Sequence, residues 1–343
     1  MTKIVKVGNV EIGGGQISVQ SMTNTKTKDV DATVAQIAKL QEAGCDIVRV
    51  SVPDKESALA CRQIVEQTSI PVVADIHFDY RLAIASADSG VSKIRINPGN
   101  IGDISKVKYL ASYLKERNIP IRIGVNGGSL DAKYRDMPLA KAMCESALEH
   151  VRILEECNFD DIVISAKSSN VAAMIQAYRL IRSGCDYPLH IGVTEAGTYT
   201  KGLIKSSIGI GSLLCDGIGD TIRVSLTDDP VKEVEAGIEI LKACDKYSKP
   251  YAEVIACPTC ARTNINVQEI ASKVEELCKN VRKNVKIAVM GCVVNGIGES
   301  KGCDFGVAGG VGKSALFAKG ELIESVDNDQ ILPRLAKMIE EFE

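Results

Sequence analysis

The sequence predicts an α/β protein: a (β/α)8 TIM barrel over residues 1–245, then a smaller α+β domain over residues 246–343. Three observations carry that prediction. Eight short β-branched runs alternate with segments of helical periodicity across residues 17–244, and such alternation builds a parallel sheet with right-handed crossovers. Eight units in about 245 residues fit a closed barrel better than an open sheet. The alternation then stops at Ser248-Lys249-Pro250, which reads as a linker.

Taken in order, Gly13-Gly-Gly15 makes a turn before the first strand, over 17–21. The next seven strands are expected over 47–52, 72–77, 93–97, 121–126, 161–167, 189–194 and 221–226. Each is followed by a helical stretch, as in 31–43, where Val34, Ile37, Ala38 and Leu40 recur at helical spacing. In the second domain the expected elements are a helix over 267–281, a strand over 285–290 leading to Cys292, a hairpin through 304–323 and a closing helix from Ile331.

A length of 343 residues, 45% hydrophobic content and a formal charge of -3 describe an ordinary globular chain with room for two cores. No apolar run approaches the roughly twenty residues of a membrane span, and Met1-Thr-Lys-Ile-Val-Lys has no signal-peptide core. A cytoplasmic protein with no membrane partner is expected. The mildly acidic balance and the lack of Trp give no footprint for nucleic acid. With no export signal, reduced thiols are expected, and Cys45, Cys61, Cys144, Cys157, Cys185, Cys215 and Cys244 read as small core residues.

The strands share one anomaly. Arg49-Val-Ser51, Arg95-Ile-Asn97, Arg122-Ile-Gly-Val-Asn126 and Arg223-Val-Ser225 each put an arginine in phase with small or polar residues. Alternation sends residues i and i+2 to one face while Val and Ile cover the helices, so these arginines point into the lumen, joined by Lys167. An unpaired buried charge costs at least several kcal/mol. Asp75 can neutralise one or two, and the rest call for an anion. Because barrel sites sit at the C-terminal ends of strands, a small polyanion such as a diphosphate is expected there, held by guanidinium forks. Asn97, Asn126 and Ser225 would add neutral hydrogen bonds, with Asp75, His77, His190, Thr194 and Glu195 near the same mouth. Taken alone, His190 reads as a satisfied core histidine.

Cys257-Pro-Thr-Cys260 followed by Cys292 has metal-ligand spacing, a tight pair at a turn plus a distant third. Iron–sulfur and zinc are the candidates. The three histidines, His77, His150 and His190, lie well upstream, so a local Cys3His zinc site is excluded. Spacing leaves Cys278, Cys303 and Glu299 open as a fourth ligand. Two signals are discounted. Gly306-Val-Ala-Gly-Gly-Val-Gly312-Lys313-Ser314 misses the phosphate-loop spacing by one and reads as hairpin turns. A Cys-x3-Cys-x2-Cys triplet is absent. Two other readings compete: a Schiff-base phosphosugar aldolase on Lys167 with a structural metal module, and a zinc-bearing binding module carried by the barrel.

A set of motifs runs from end to end of the chain: Val19-Gln-Ser-Met22, Val48-Arg-Val-Ser-Val-Pro53, Asp75-Ile-His77, Ile94-Arg-Ile-Asn-Pro-Gly99, Ile123-Gly-Val-Asn126, Ser165-Ala-Lys167, His190-Ile-Gly-Val-Thr-Glu195, Cys257-Pro-Thr-Cys-Ala-Arg262 and Met290-Gly-Cys-Val-Val-Asn-Gly296. Through them the chain resembles the 4-hydroxy-3-methylbut-2-enyl diphosphate synthase family of the methylerythritol phosphate route to isoprenoids. It implies one 4Fe-4S cluster per chain, on Cys257, Cys260, Cys292 and Glu299, in a module like those of sulfite and nitrite reductases. It implies reductive ring opening of 2-C-methyl-D-erythritol 2,4-cyclodiphosphate, with the diphosphate on Arg49, Arg95, Arg122, Lys167 and Arg223, Arg262 in the substrate-binding set, and Glu195 as acid/base partner. It also implies flavodoxin or ferredoxin as donor, and a homodimer whose cluster domain closes over the partner's barrel. Two departures are Ile297, where the family usually has proline, and the extra Cys303, which stands near enough in sequence to rival Glu299.

Overall fold

An antiparallel hairpin, β1 (Val5–Val7) and β2 (Val10–Ile12), comes first. It turns at Gly8-Asn9, with Gly8 at φ 58°, where a residue without Cβ is unstrained. The eight-run pattern omits this hairpin, although Val5-Lys-Val-Gly-Asn-Val-Glu-Ile12 carries its signal, alternation around a Gly-Asn turn. The computed structural model describes residues 2–97, 101, 104–279, 281–294 and 301–342. The chain divides into two units, 1–247 and 248–343.

Eight parallel strands build the first unit: β3 (Ser18–Met22), β4 (Ile47–Ser51), β5 (Val72–Ile76), β6 (Lys93–Ile96), β7 (Ile121–Asn126), β8 (Ile162–Lys167), β9 (His190–Ile191) and β10 (Thr221–Ile222). Their order is β8-β7-β6-β5-β4-β3-β10-β9, and one bridge from Ile164 to Leu189 closes the ring. The result is a nearly closed (β/α)8 barrel. The last two strands keep only two ladder residues each, where six are expected: Arg223 N–H still bonds the Ile191 carbonyl at 3.0 Å, after which both chains leave for the mouth loops.

Helices follow the strands: α1 (Val30–Glu42), α2 (Lys55–Glu66), α3 (Tyr80–Asp88), α4 (Ile104–Lys115), α5 (Leu139–Glu155), α6 (Val171–Gly184), α7 (Tyr199–Cys215) and α8 (Pro230–Ala243). Asp29, Asp54, Asp79, Asn170 and Asp229 start five of them, each side chain accepting a first-turn N–H, a cap worth about 1 kcal/mol. Helix-facing Val48, Val50, Ala74, Ile76, Ile94, Ile96, Ile121, Ile123, Ile162 and Ile164 meet Ile37, Leu40, Ile64, Leu110 and Leu154 in one core. A second core lies at the N-terminal end of the lumen, where Val5, Val7 and Ile12 of the hairpin pack on Ile47, Val73 and Val163. The barrel is stoppered at that end. Of the seven cysteines expected inside, Cys45, Cys61 and Cys144 are buried, Cys157, Cys185 and Cys244 partly so, and Cys215, the last residue of α7, is exposed.

The second unit is a five-stranded sheet of order β11-β12-β13-β14-β15, from β11 (Ala252–Ala256), β12 (Val285–Met290), β13 (Phe305–Ala308), β14 (Lys313–Ala318) and β15 (Glu321–Asp327). The first three are parallel and the rest antiparallel. Helices α9 (Val267–Cys278) and α10 (Ile331–Glu341) pack on one face through Val267, Val274, Ile331 and Leu335. The glycine-rich run after Gly306 is the tight turn between β13 and β14, with Gly312 at φ 76°. No described helix is long and apolar enough to cross a membrane.

Candidate functional site

Alternation along the barrel strands decides what faces inward. Arg49 on β4, Asp75 on β5, Lys93 and Arg95 on β6, Arg122 on β7, Lys167 on β8 and His190 on β9 are all buried, and Arg223, just past β10, is mostly so. Asp75 takes Arg95 at 2.9 Å, Arg49 at 3.5 Å and His77 at 3.5 Å. Burial pushes its pKa up, but Arg49, the His77 hydrogen bond and Arg95 outweigh burial and hold the carboxyl well below the usual range. Arg223 pairs with Glu233 of α8 at 3.2 Å, and Glu233 also accepts the Leu226 N–H at 2.8 Å. Glu233 escapes sequence reasoning because it lies on a helix, outside the strand pattern.

Among the described lumen residues, six basic side chains therefore face two carboxylates. Nε and Nη1 of Arg122 and Nζ of Lys93 and Lys167 have no hydrogen-bond partner. Burial first, then same-sign neighbours, pushes Lys93 and Lys167 well below an ordinary lysine pKa. Burial also brings Arg49 down to about 10, so it remains a cation at neutral pH. Two glycines leave room for these heads. A Cβ on Gly124 would lie 2.3 Å from Arg95 Nε, and one on Gly192 2.9 Å from Lys167 Nζ. Orphaned basic groups gathered in one lumen suit a multiply charged anion.

Toward the C-terminal ends of the strands, Asn97 donates to Ser129 at 3.4 Å. Asn126, Thr194 and Ser225 are partly exposed, and His77 is exposed. Glu195 is exposed with φ 51°, a left-handed backbone that is uncommon for a residue with a side chain and clusters at functional sites. His190 departs from expectation. It is fully buried, yet neither ring nitrogen has a partner. Burial and then Arg122, Lys167 and Lys93 push it well below the usual imidazole pKa, so it is neutral. Lys93, in the same i, i+2 phase as Arg95, is the lumen cation that strand reading missed.

The cysteine pair belongs to the second unit. Cys257 directly follows β11 and Cys292 comes two residues after β12, so both leave the same end of neighbouring parallel strands. Gly291 N–H donates to Cys257 Sγ at 3.1 Å, and the Asn264 N–H to Gly291 O at 2.9 Å fastens the loop. Thr263 Oγ1 accepts the Cys260 N–H at 3.1 Å and approaches its sulfur at 4.0 Å. Arg262 is exposed in this loop and belongs to this unit, not to the barrel. Among the described residues no three His, Cys, Asp or Glu groups form a closed metal-binding set, and Ile297 and Glu299 lie outside the described residues. The donor chemistry nonetheless fits a thiolate-bound cluster: three cysteines at one sheet end, with N–H and O–H groups on the sulfurs of two. Cys303 precedes Asp304, which brackets Lys286 by hydrogen bonds of 2.8 Å each way, and it is buried in a cluster with Ala288, Met290 and Phe317 against which Cys257 packs. Cys278, the last residue of α9, is buried in the helix-side core.

Residues 2–238 match the family model described as the GcpE TIM-barrel domain, and residues 253–341 match the GcpE protein C-terminal domain. A 4-hydroxy-3-methylbut-2-en-1-yl diphosphate synthase (flavodoxin) of Clostridium perfringens is 57% identical over 99% of this chain and 98% of that protein. The protein of the same name from Clostridium acetobutylicum is 55% identical over the same shares. Among solved structures, dihydropteroate synthase from Stenotrophomonas maltophilia superposes with a TM-score of 0.55 at 15% identity, covering 71% of this chain and 97% of that one. That likeness speaks for the fold alone.

Proposed function

The chain belongs to the GcpE family, and on that premise we propose that it makes 4-hydroxy-3-methylbut-2-en-1-yl diphosphate by reductive ring opening and dehydration of 2-C-methyl-D-erythritol 2,4-cyclodiphosphate. The product and flavodoxin stand in the names of its relatives. The observation that carries the substrate reading is the lumen, where Lys93, Arg122 and Lys167 have unpartnered polar atoms and carboxylates answer only Arg49, Arg95 and Arg223. A diphosphate supplies the missing negative charge. The aldolase reading that Lys167 invites finds no support in these relatives.

In this reading Arg49, Arg95, Arg122, Lys167 and Arg223 hold the diphosphate, and Asn97, Asn126, Thr194 and Ser225 hydrogen-bond it. Asp75 keeps Arg49, Arg95 and His77 in place, and His190 lies deeper in the same lumen. Glu195, just past β9, would give a proton to the hydroxyl that leaves as water. Cys257, Cys260, Cys292 and Glu299 would hold one 4Fe-4S cluster, with Arg262 serving the substrate from the same loop. Such a cluster, when bound, supplies the two electrons one at a time. We propose a homodimer in which the cluster-bearing unit of one chain serves the barrel of its partner. We place the reaction in the reducing cytoplasm.

The test is anaerobic iron and sulfide analysis with electron paramagnetic resonance of the reduced protein, with and without the cyclic diphosphate. About four irons per chain, a spectrum altered by the diphosphate, and product formed with reduced flavodoxin are expected. Zinc in place of iron, or a spectrum that ignores the diphosphate, overturns the reading.

A further inference from the structure

Lys93 stands at the stoppered end of the lumen. It is fully buried and its Nζ has no hydrogen-bond partner. Directly across the β5–β6 ladder is Val73, which packs with Val5, Val7 and Ile12 of the hairpin. Gln20, paired in register with Ile47 of the same stopper, is also buried with both amide atoms unpartnered. Apolar side chains thus close the lumen from below. Above, the charges bearing directly on Lys93 are Arg122 of β7 and Arg49 of β4.

Among the described lumen residues the rest offer no relief: Arg95, Lys167 and Arg223 have the same sign, and His190 of β9 carries no negative charge. Asp75 is committed to Arg49, Arg95 and His77, and Glu233 to Arg223. An amine so placed carries the whole penalty of an unpaired buried ion if charged, and escapes it by releasing its proton. A diphosphate entering from the mouth reverses the potential that the guanidiniums impose.

We propose that Lys93 is a proton acceptor coupled to anion binding: the neutral amine in the empty barrel becomes the ammonium when a diphosphate fills the lumen above it. The proton comes from solvent to Nζ, and no other bond changes. Charge at the floor then adds to the grip on the anion, and the chain keeps its empty barrel from holding a further unpaired cation. The inference rests on the diphosphate reading of the lumen.

Isothermal titration calorimetry of the full-length, cluster-loaded protein tests it, with inorganic pyrophosphate and then the cyclic diphosphate, in buffers of different ionisation enthalpy at about pH 8. The wild type is expected to take up protons on binding, and Lys93→Met about one fewer per chain. Methionine keeps most of the length of lysine without its charge. Should that variant not fold, Lys93→Gln takes its place with the same expected loss of about one proton per chain, and in either case the wild-type uptake must fall away once the medium is acid enough to protonate the empty-state amine. Binding with no proton uptake, a flat pH profile, or equal uptake in Lys93→Met overturns the inference and leaves the anion site standing. Absence of any binding removes the anion site, and the inference with it.

Discussion

Asp75 shows how much one lumen carboxylate has to do, since it answers two buried arginines and His77 at once. Asparagine there would leave Arg49 and Arg95 uncompensated, so Asp75→Asn is expected to lose about 3–5 kcal/mol at neutral pH. The folded carboxyl titrates below its unfolded value, so its stabilisation is full above about pH 4 and fades as pH falls through the lower folded value. Denaturant unfolding of both proteins should show the gap closing in acid, with saturating pyrophosphate recovering part of the loss at neutral pH. An unchanged gap at pH 2–3 would be wrong for this account. Much at this scale is legible in the sequence: Arg49, Arg95, Arg122, Arg223 and Lys167 all fall in inward phase. Lys93 obeys the same phase, but at the first strand position it reads as a boundary residue. His190 was expected to be satisfied, because strand phase says which way a ring points and nothing about whether a partner waits there.

Between β8 and β9 the barrel has one ladder bridge, Ile164 to Leu189. Tyr178 of α6 strengthens that seam from outside. Its buried hydroxyl donates to the His190 carbonyl at 2.7 Å and accepts the Ala166 N–H at 3.0 Å, tying the residues beside Lys167 and at His190 to one helix. Tyr178→Phe strands both backbone groups and is expected to cost about 1–3 kcal/mol. Amide exchange should quicken at Ala166 and its β8 neighbours, and a loss confined to distant helices would count against the seam. Strand alternation made six residues each of β9 and β10. What shortens them is tertiary: a Cβ at Gly192 would stand 2.2 Å from the Arg223 carbonyl, so this crossing is a close backbone contact, invisible to local propensity. The hairpin, by contrast, was written in its alternation and Gly8-Asn9 turn, and was lost only because its strands are three residues long.

At the scale of the molecule, the change of pattern near Ser248 is visible without coordinates, because strand–helix alternation simply ends. Which end of the C-terminal sheet carries Cys257 and Cys292 is not, since spacing says nothing of strand direction. Anion binding should be readable in the intact protein. Pyrophosphate at about 100 times its dissociation constant is expected to stabilise the folded state by ~2.7 kcal/mol. Hydrogen exchange should slow at β4, β6, β7 and β8, whose side chains face the lumen. Protection gained only in the helices would place the anion outside the barrel.

The stopper also has a history in each newly made molecule. Val5, Val7 and Ile12 are synthesised roughly 150 residues before Val163, the last residue of the cluster they complete. At the ~5–20 residues per second of a translating ribosome, that gap is on the order of ten seconds. Throughout it the nascent hairpin offers its apolar side to whatever is near, and the barrel can be sealed only once β8 has emerged. The earliest segment of the barrel made is therefore seated only after most of the barrel has followed it, and until then it is a stretch on which a chaperone would find a hold.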